Sequence, residues 1–405
     1  MWRHADGERA ASCHVPMRFA AARVAAARVA LARVAVVLVA AALVAAAAVA
    51  CGTETTETQA AGAVEILDDA GRSVGVPAGV DAVLGTDPVG TTVLYTLAPD
   101  RLAGWNYTLT EAEKAFIPDE YEQLPDLGGW YGKSMTGSVE EILRHDIDVL
   151  VMMIGVDDAA IAQAERIEEA TGIPVVILDS GLTELEHAYE VLGRALGEEE
   201  RAAALGAYCR EAVDAVAGRA AEIPEAERTT VYYAEGLEGL ETDPEGSLHT
   251  EVLSLAGGRN VADVQTAPGG SRAAVSLEQV LAWDPELVLV GSNPGADADS
   301  YATIRTTKRW GALGAVERGE VYEAPHGPFD WFDRPYSVNR VIGLQWLANL
   351  LYPEVFTYDI RERTRQFYEL FYHVDVTDEQ LDWLLRRGTR DVDGLAPRPL
   401  PTPSP

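Results

Sequence analysis

The residues able to do covalent chemistry stand at the wrong spacings for it. No nucleophile elbow of the Gly-x-Ser-x-Gly type opens a helix, and His-Glu-x-x-His pairs, Cys-x-x-Cys pairs and dinucleotide-binding glycine patterns are absent. GGWYGKSM (128–135) carries Gly-Lys-Ser at 132–134, yet a phosphate loop needs Gly where Leu127 stands and a strand where PDLG stands. His145, His187, His249, His326 and His373 are scattered without metal-ligand spacing, so surface or core places are the default for each. Cys209 falls on an apolar helical face and reads as a buried structural thiol. The expectation is a non-enzyme with no cofactor.

What remains is a set of aromatic and cationic side chains in loops that follow expected strands: Trp105 and Tyr107; Trp130, Tyr131 and Lys133; Tyr232 and Tyr233; Arg272; and Trp331 with Arg334. Cations grouped beside aromatics are informative in a chain of formal charge -32. Residues 1–50 hold six Arg against two acids, a surplus of 4, so the remainder carries -36. Such a surface repels nucleic acid phosphates and anionic lipid heads, which argues against DNA or RNA as a partner.

These loops need elements to position them, and a repeat shows what the elements are. SVEEILRHDIDVLVMM from Ser138 and SLEQVLAWDPELVLVG from Ser276 align without a gap, matching Ser138 with Ser276, Glu140 with Glu278, Asp146 with Asp284 and Asp148 with Glu286. Ser-x-x-Glu and Ser-x-x-Gln predict a capped first helical turn with a reciprocal bond from the acid or amide. Apolar residues at 139, 142 and 143, and at 277, 280 and 281, give each helix one buried stripe. The Val and Leu run that follows predicts a strand buried on both faces, as in parallel sheets.

The organisation expected is α/β: two Rossmann-like lobes joined by a single long α-helix, with a ligand cleft between them. The 405 residues and 48% hydrophobic content allow cores of that size. The N-terminal lobe spans 63–181 and opens with a hairpin around Asp-Asp-Ala-Gly. The connecting helix spans 182–223, helical nearly throughout, with apolar positions 205, 209, 213, 216 and 220 on one stripe. The C-terminal lobe spans 224–386 and includes the terminal helices, one of them opened by a Thr377 capping box. A Pro-rich disordered tail is expected over 387–405.

Residues 1–50 read as a signal peptide: Arg18, Arg23, Arg28 and Arg33 precede the apolar run 34–50, small residues follow, and then Cys51. MWRHADGERAASCHVP has no signal character, so Met17 is a second candidate start. Cys51 is the expected lipidation site, and 51–62 a flexible tether.

From about Ala63 to Leu385 the chain resembles the substrate-binding lipoproteins of ABC importers for iron-siderophore complexes, haem, cobalamin and related metal species, a class III periplasmic-binding-protein-like group. ILDDAGRSVGVP, the two Ser-x-Glu units, GSLHTEVLSLAGGRNVAD (246–263) and FDWFDRPYSVNRVIGLQWLANLLYP (329–353) carry the resemblance. It implies a single helix between the lobes, slight opening and closing, and a monomer held by its lipid anchor on the extracytoplasmic face of the cell membrane. The implied partners are an ABC permease dimer with its ATPase subunits and a small-molecule metal complex. By position, Glu140 and Glu278 inherit docking onto permease Arg residues, a role suited to an acid in a first helical turn.

The same resemblance implies that aromatic rings pack against a chelate or tetrapyrrole and that Arg or Lys neutralises its anionic groups. Trp105, Tyr107, Trp130, Tyr131, Lys133, Tyr233, Arg272, Trp331 and Arg334 are the candidates, while Trp331 also fits an ordinary core place and Arg334 a helix end. His249 stands near a helix start, where an anion site and a capping or surface role are both open. The clustered aromatics favour a ferric siderophore as ligand. Haem, cobalamin and a molybdate- or tungstate-like oxyanion are alternatives, as are an extracellular metallochaperone or enzyme on the same frame and a structural adhesin.

Overall fold

Alternation of apolar and turn residues folds this chain into two parallel sheets with the same neighbour order. The structure, a computed structural model, describes residues 62–131, 136–266, 272–291 and 299–390. The signal segment, Cys51, Lys133 and the tail from 391 lie outside the described residues. An antiparallel hairpin, β1 (Val64–Leu67) and β2 (Ser73–Val76), opens the fold. Asp68 accepts the Ala70 and Arg72 amides across its turn, and Gly71 supplies the positive φ of 74° that a branched residue would resist. β3 (Val83–Gly85), β4 (Val149–Ile154) and β5 (Val175–Asp179) form the first sheet in that order.

The second lobe supplies β6 (Thr230–Ala234), β7 (Glu241–Thr242), β8 (Arg259–Asn260), β9 (Ala273–Ala274), β10 (Leu287–Val290) and β11 (Val321–Glu323). Its sheet runs β11-β10-β6-β8, all parallel, while β7 and β9 make a small antiparallel pair. A lone parallel bridge from Val83 to Leu102 stands beside β3 as β8 stands beside β6. The two sheets are therefore copies.

The repeated sequence folds the same way twice. Ser138 accepts the Glu141 amide and Ser276 the Gln279 amide, opening the short helices Val139–Ile142 and Leu277–Trp283. Asp146 and Asp284 then both take φ 46°, a left-handed turn that short polar side chains tolerate. The expected reciprocal bond is made in neither copy: the Glu141 carboxylate turns to Arg144 and His145 instead. The second pair of acids clamps the entry of the neighbouring strand. Asp148 accepts from the Asp81 and Ala82 amides, and Glu286 accepts from the Thr230 amide and hydroxyl.

Both sheets are buried on both faces, as continuous apolar strands require. Val83, Val149, Val151, Val176, Val231, Tyr233, Leu287 and Leu289 face one shared core. The alternate residues Leu84, Leu150, Met152 and Ile177 face a core of the first lobe, and Tyr232, Ala234, Val288 and Val290 one of the second. The shared core takes in helices α1 (Pro88–Leu97), α3 (Leu185–Leu196), α4 (Glu199–Ala220), α5 (Arg340–Leu351), α6 (Ile360–Tyr372) and α7 (Asp378–Leu385), whereas α2 (Asp158–Thr171) covers the outer core of the first lobe.

The segment 182–223, expected to be helical nearly throughout, is two helices, and the strut read over Glu198–Glu222 is the second of them. The chain breaks at Gly197, φ 71°, and α3 and α4 pack back to back. Gly206 lies against the backbone of Glu186, and Gly193 against Ala202, which fixes the pair as antiparallel. The long connecting helix is α4, 22 residues and about 33 Å. Its stripe Leu205, Cys209, Val213, Val216 and Ala220 is buried, as the periodicity predicts.

The terminal helices do not stay with the second lobe. Phe116 packs against Tyr368 and Trp383, Tyr95 against Tyr372, and the Gln380 amide donates to the Ala115 carbonyl at 2.7 Å. The chain from Arg387 to Arg390 is also held, by Glu323, Asp299 and Glu320, so the expected tail boundary at 387 moves past Arg390. Among the described residues no helix is long and apolar enough to cross a membrane.

Candidate functional site

The motif FDWFDRPYSVNR builds a loop, 325–339, that carries most of the site. Asp330 caps its own turn by accepting the Phe332 and Asp333 amides at 2.6 and 2.8 Å, and the Asn339 amide holds the Phe329 carbonyl at 2.9 Å. Trp331 is wholly buried, donates to the Tyr368 hydroxyl and packs edge-on against Trp346. Its carbonyl lies where a side chain at Gly343 would have to go. This packing fixes the direction of the next residues.

Asp333 and Arg334 point into a polar cluster of the second lobe. Arg334 Nη1 donates to Glu235 Oε1 (2.6 Å), Asp243 Oδ2 (3.0 Å) and Asp333 Oδ2 (2.5 Å). Arg272 pairs with Glu235 at 2.8 Å and with Glu241 at 3.4 Å. His249 Nδ1 lies 2.6 Å from Asp333 Oδ1, and its ring stacks on Tyr336 at 4.9 Å. Burial pushes Glu235 up to about 9, against the pull of Arg334 and with help from Asp333. Burial likewise raises Asp333, opposed by His249 and Arg334. With Glu235 held protonated at neutral pH, Arg334 is paired with Asp243 and Asp333, and Arg272 with Glu241.

The first lobe brings its own groups to the C-terminal ends of its strands, where ligands collect in such folds. Asn106 donates to the Gly85 and Gly128 carbonyls, fixing the loops that bear Tyr107 and Trp130. The Trp130 ring lies on Gly137, and Trp130, Tyr131 and Tyr107 keep partial exposure. Asp87, at the start of α1, accepts from Gly90 and Met153, and burial raises its pKa from 3.8 to about 7.

Three sets of contacts join the lobes here. Tyr107 donates to Glu113 at 2.9 Å, and Glu113 lies 3.6 Å from His326, which lies 3.6 Å from Asp330. Arg340 pairs with Glu251 at 2.8 Å and donates to the Ser180 carbonyl, while the Leu182 amide donates to Glu251 at 3.0 Å. Leu248 stands over Gly155.

Of the residues selected from sequence, His249, Tyr233, Arg272 and Arg334 come together in one cluster, and Tyr107, Trp130 and Tyr131 occupy the first-lobe loops. Trp105 and Trp331 are core: Trp105, 3% exposed, donates to the Tyr121 carbonyl and packs on Tyr95 and Phe329. Tyr233 is buried too, its hydroxyl bound to Asp333. Tyr232 belongs to the outer core of the second lobe. Sequence reading missed Glu113, Glu235, Asp243, Asp333 and Tyr336; Asp333 and Tyr336 sit inside the quoted motif, and a Thr110-x-x-Glu113 capping box marks Glu113. The letters Gly-x-Ser-x-Gly do occur at 71–75, but Ser73 opens β2 and its hydroxyl bonds Glu65, so no nucleophile turn exists there.

A family model described as periplasmic binding protein matches residues 89–327. An ABC transporter solute binding protein from Sulfurospirillum deleyianum is 32% identical, covers 79% of this chain and 98% of its own, and superposes with a TM-score of 0.72. The chain belongs to the periplasmic binding protein family. As a member it is the solute-binding component of an ABC transporter and not an enzyme. This periplasmic binding protein is also 30% identical over 122 residues to the molybdate-binding protein MolA of Haemophilus influenzae, a match spanning 30% of this chain and 33% of MolA. That match spans about a third of the curated relative's length. The molybdate-bound structure of MolA is 20% identical, covers 78% of this chain and 99% of its own, and has a TM-score of 0.62, a likeness of fold.

Proposed function

We propose that this binding protein is a lipid-anchored receptor that captures a metal complex, a ferric siderophore first, outside the membrane and delivers it to an ABC permease. Glu140 and Glu278 dock it, one on each permease subunit. The observation that carries the docking is the twofold repetition: each acid is exposed, stands in the first turn of a Ser-capped helix and enters no ion pair among the described residues. A symmetric receiver needs matched carboxylates, and a helix N-terminus holds such a charge ready for Arg. Tyr107, Trp130, Tyr131 and Lys133 on the first lobe and His249, Arg272 and Arg334 on the second are the groups offered to the cargo. Trp105, Tyr233 and Trp331 support these loops from beneath.

A molybdate-like oxyanion is the second reading, favoured by the partial match to MolA. Native mass spectrometry of the full chain in detergent, incubated separately with ferric siderophores, haem, cobalamin and molybdate, separates the readings by which species is retained. Retention of none overturns the cargo assignment. The double variant Glu140→Arg, Glu278→Arg should retain ligand yet lose uptake in cells, and undiminished uptake would refute the docking role. Incorporation of labelled fatty acid that persists in Cys51→Ser would remove the anchor.

A further inference from the structure

The two short helices of the repeat reach the same net charge by different residues. Aligned from their capping serines, they read Glu140-Glu141-Ile142-Leu143-Arg144-His145 and Glu278-Gln279-Val280-Leu281-Ala282-Trp283. The first copy has one acid that the second lacks, Glu141 against Gln279. It also has two basic residues that the second lacks, Arg144 against Ala282 and His145 against Trp283. With histidine counted as neutral, each stretch carries one net negative charge.

The geometry shows that the extra residues answer one another. Arg144 Nη1 pairs with Glu141 Oε2, and His145 Nε2 lies 3.3 Å from Glu141 Oε1, so both oxygens of that carboxylate are engaged. Spacings of three and four residues put all three side chains on one helical face. The bond with His145, and after it the charge of Arg144, holds the Glu141 carboxyl below its ordinary value. Arg144 enters no other ion pair among the described residues. In the second copy Trp283 packs against the outer core of its lobe, its ring 6.1 Å from that of Tyr232, and Gln279 is exposed. Exposed pairs of this kind add little stability. What they change is which carboxylate is free.

Resting on the docking role proposed above, we infer that Arg144 and His145 are specificity-determining residues of the first-lobe face: they hold Glu141 back, so that Glu140 is the single carboxylate offered there, as Gln279 leaves Glu278 alone on the second lobe. The partner that fits is a receiver with two equivalent cationic sockets, each taking one carboxylate. An unheld Glu141 would set two adjacent acids before one socket, and a guanidinium could take either, which loosens the register of receptor on receiver.

The test is capture of ABC permease subunits by the tagged full chain from detergent-solubilised membranes of the cells that make it, with the subunits identified and counted by mass spectrometry. Glu140→Gln should lower the captured permease at least about tenfold. In the background Arg144→Ala, His145→Ala the same change should cost less than about threefold, because the freed Glu141 takes the socket. The second lobe gives the converse. Glu278→Gln should cost at least about tenfold, and adding Gln279→Glu, an acid with Ala282 and Trp283 where the first copy has its basic pair, should restore most of the loss. Both effects are recoveries, which a misfolded helix would not produce. Equal losses from Glu140→Gln in the two backgrounds, or no recovery with Gln279→Glu, overturn the inference and leave the docking role standing. Undiminished capture by both Glu140→Gln and Glu278→Gln, or no permease captured by the wild type, refutes the docking role, and the inference falls with it.

Discussion

Replacing His326 by Gln tests whether a buried charge fastens the two lobes. His326 comes from the second lobe with a side chain 4% exposed, and it faces Glu113 of the first lobe and Asp330 of its own loop, each at 3.6 Å. Burial alone would lower its pKa, yet the two carboxylates carry it from 6.5 up to about 9. For Glu113, burial pushes up, but His326 and the Thr110 bonds hold it below its ordinary value. Tyr107, the other group on Glu113, is driven well above its usual range by burial and by Glu113, and stays neutral. A rise from 6.5 to about 9 corresponds to about 3 kcal/mol. Because the folded value exceeds the unfolded one, this contribution is complete below about pH 6.5 and is lost as pH rises through about 9. Urea denaturation of wild type and His326→Gln at pH 6, 7.5, 9 and 10 should show a gap of about 3 kcal/mol at pH 6 that falls below about 1 kcal/mol by pH 10. A gap independent of pH, or no gap at pH 6, would refute the cross-lobe ion pair.

Arg340→Met should destabilise by about 3 kcal/mol in the same assay, since it strips Glu251 and the Ser180 carbonyl of a buried partner; a loss under about 1 kcal/mol would mean water replaces the guanidinium. Gly343→Ala should cost about 3 kcal/mol or abolish folding, because the added carbon would sit 1.6 Å from the Trp331 carbonyl oxygen; a thermal midpoint within about 2 °C of wild type would contradict that packing.

Much of the frame was legible locally. The 138-residue repeat announced two like lobes because capping serines, turn aspartates and buried strands are short-range signals, and each recurs at matched φ and matched hydrogen bonds. The α4 stripe and the Thr377 capping box were legible for the same reason. The break at Gly197 was written as Leu-Gly-Glu-Glu-Glu, a helix stop followed by an acidic helix start, and was outweighed by helical propensity on both sides. The site was harder to read. In a chain with 64 acids, Glu113, Glu235, Asp243 and Asp333 carry no mark that separates them from solvated surface.

Periodicity and capping are properties of neighbours in the chain, so the amino-acid order alone determined the strands, the doubled unit, the long connecting helix and the family. Which aromatic becomes core and which carboxylate loses its water depend on segments far apart in sequence. Asp243 and Asp333 lie far apart in sequence yet share Arg334, and Thr96 and Tyr189, 93 residues apart, hydrogen-bond each other at 2.6 Å, so only the folded chain brings such pairs together. Tertiary structure therefore decided that Trp105 and Trp331 support the site from within, that α6 and α7 cross to the first lobe, and that a guanidinium, an imidazole and three carboxyls share one desolvated place.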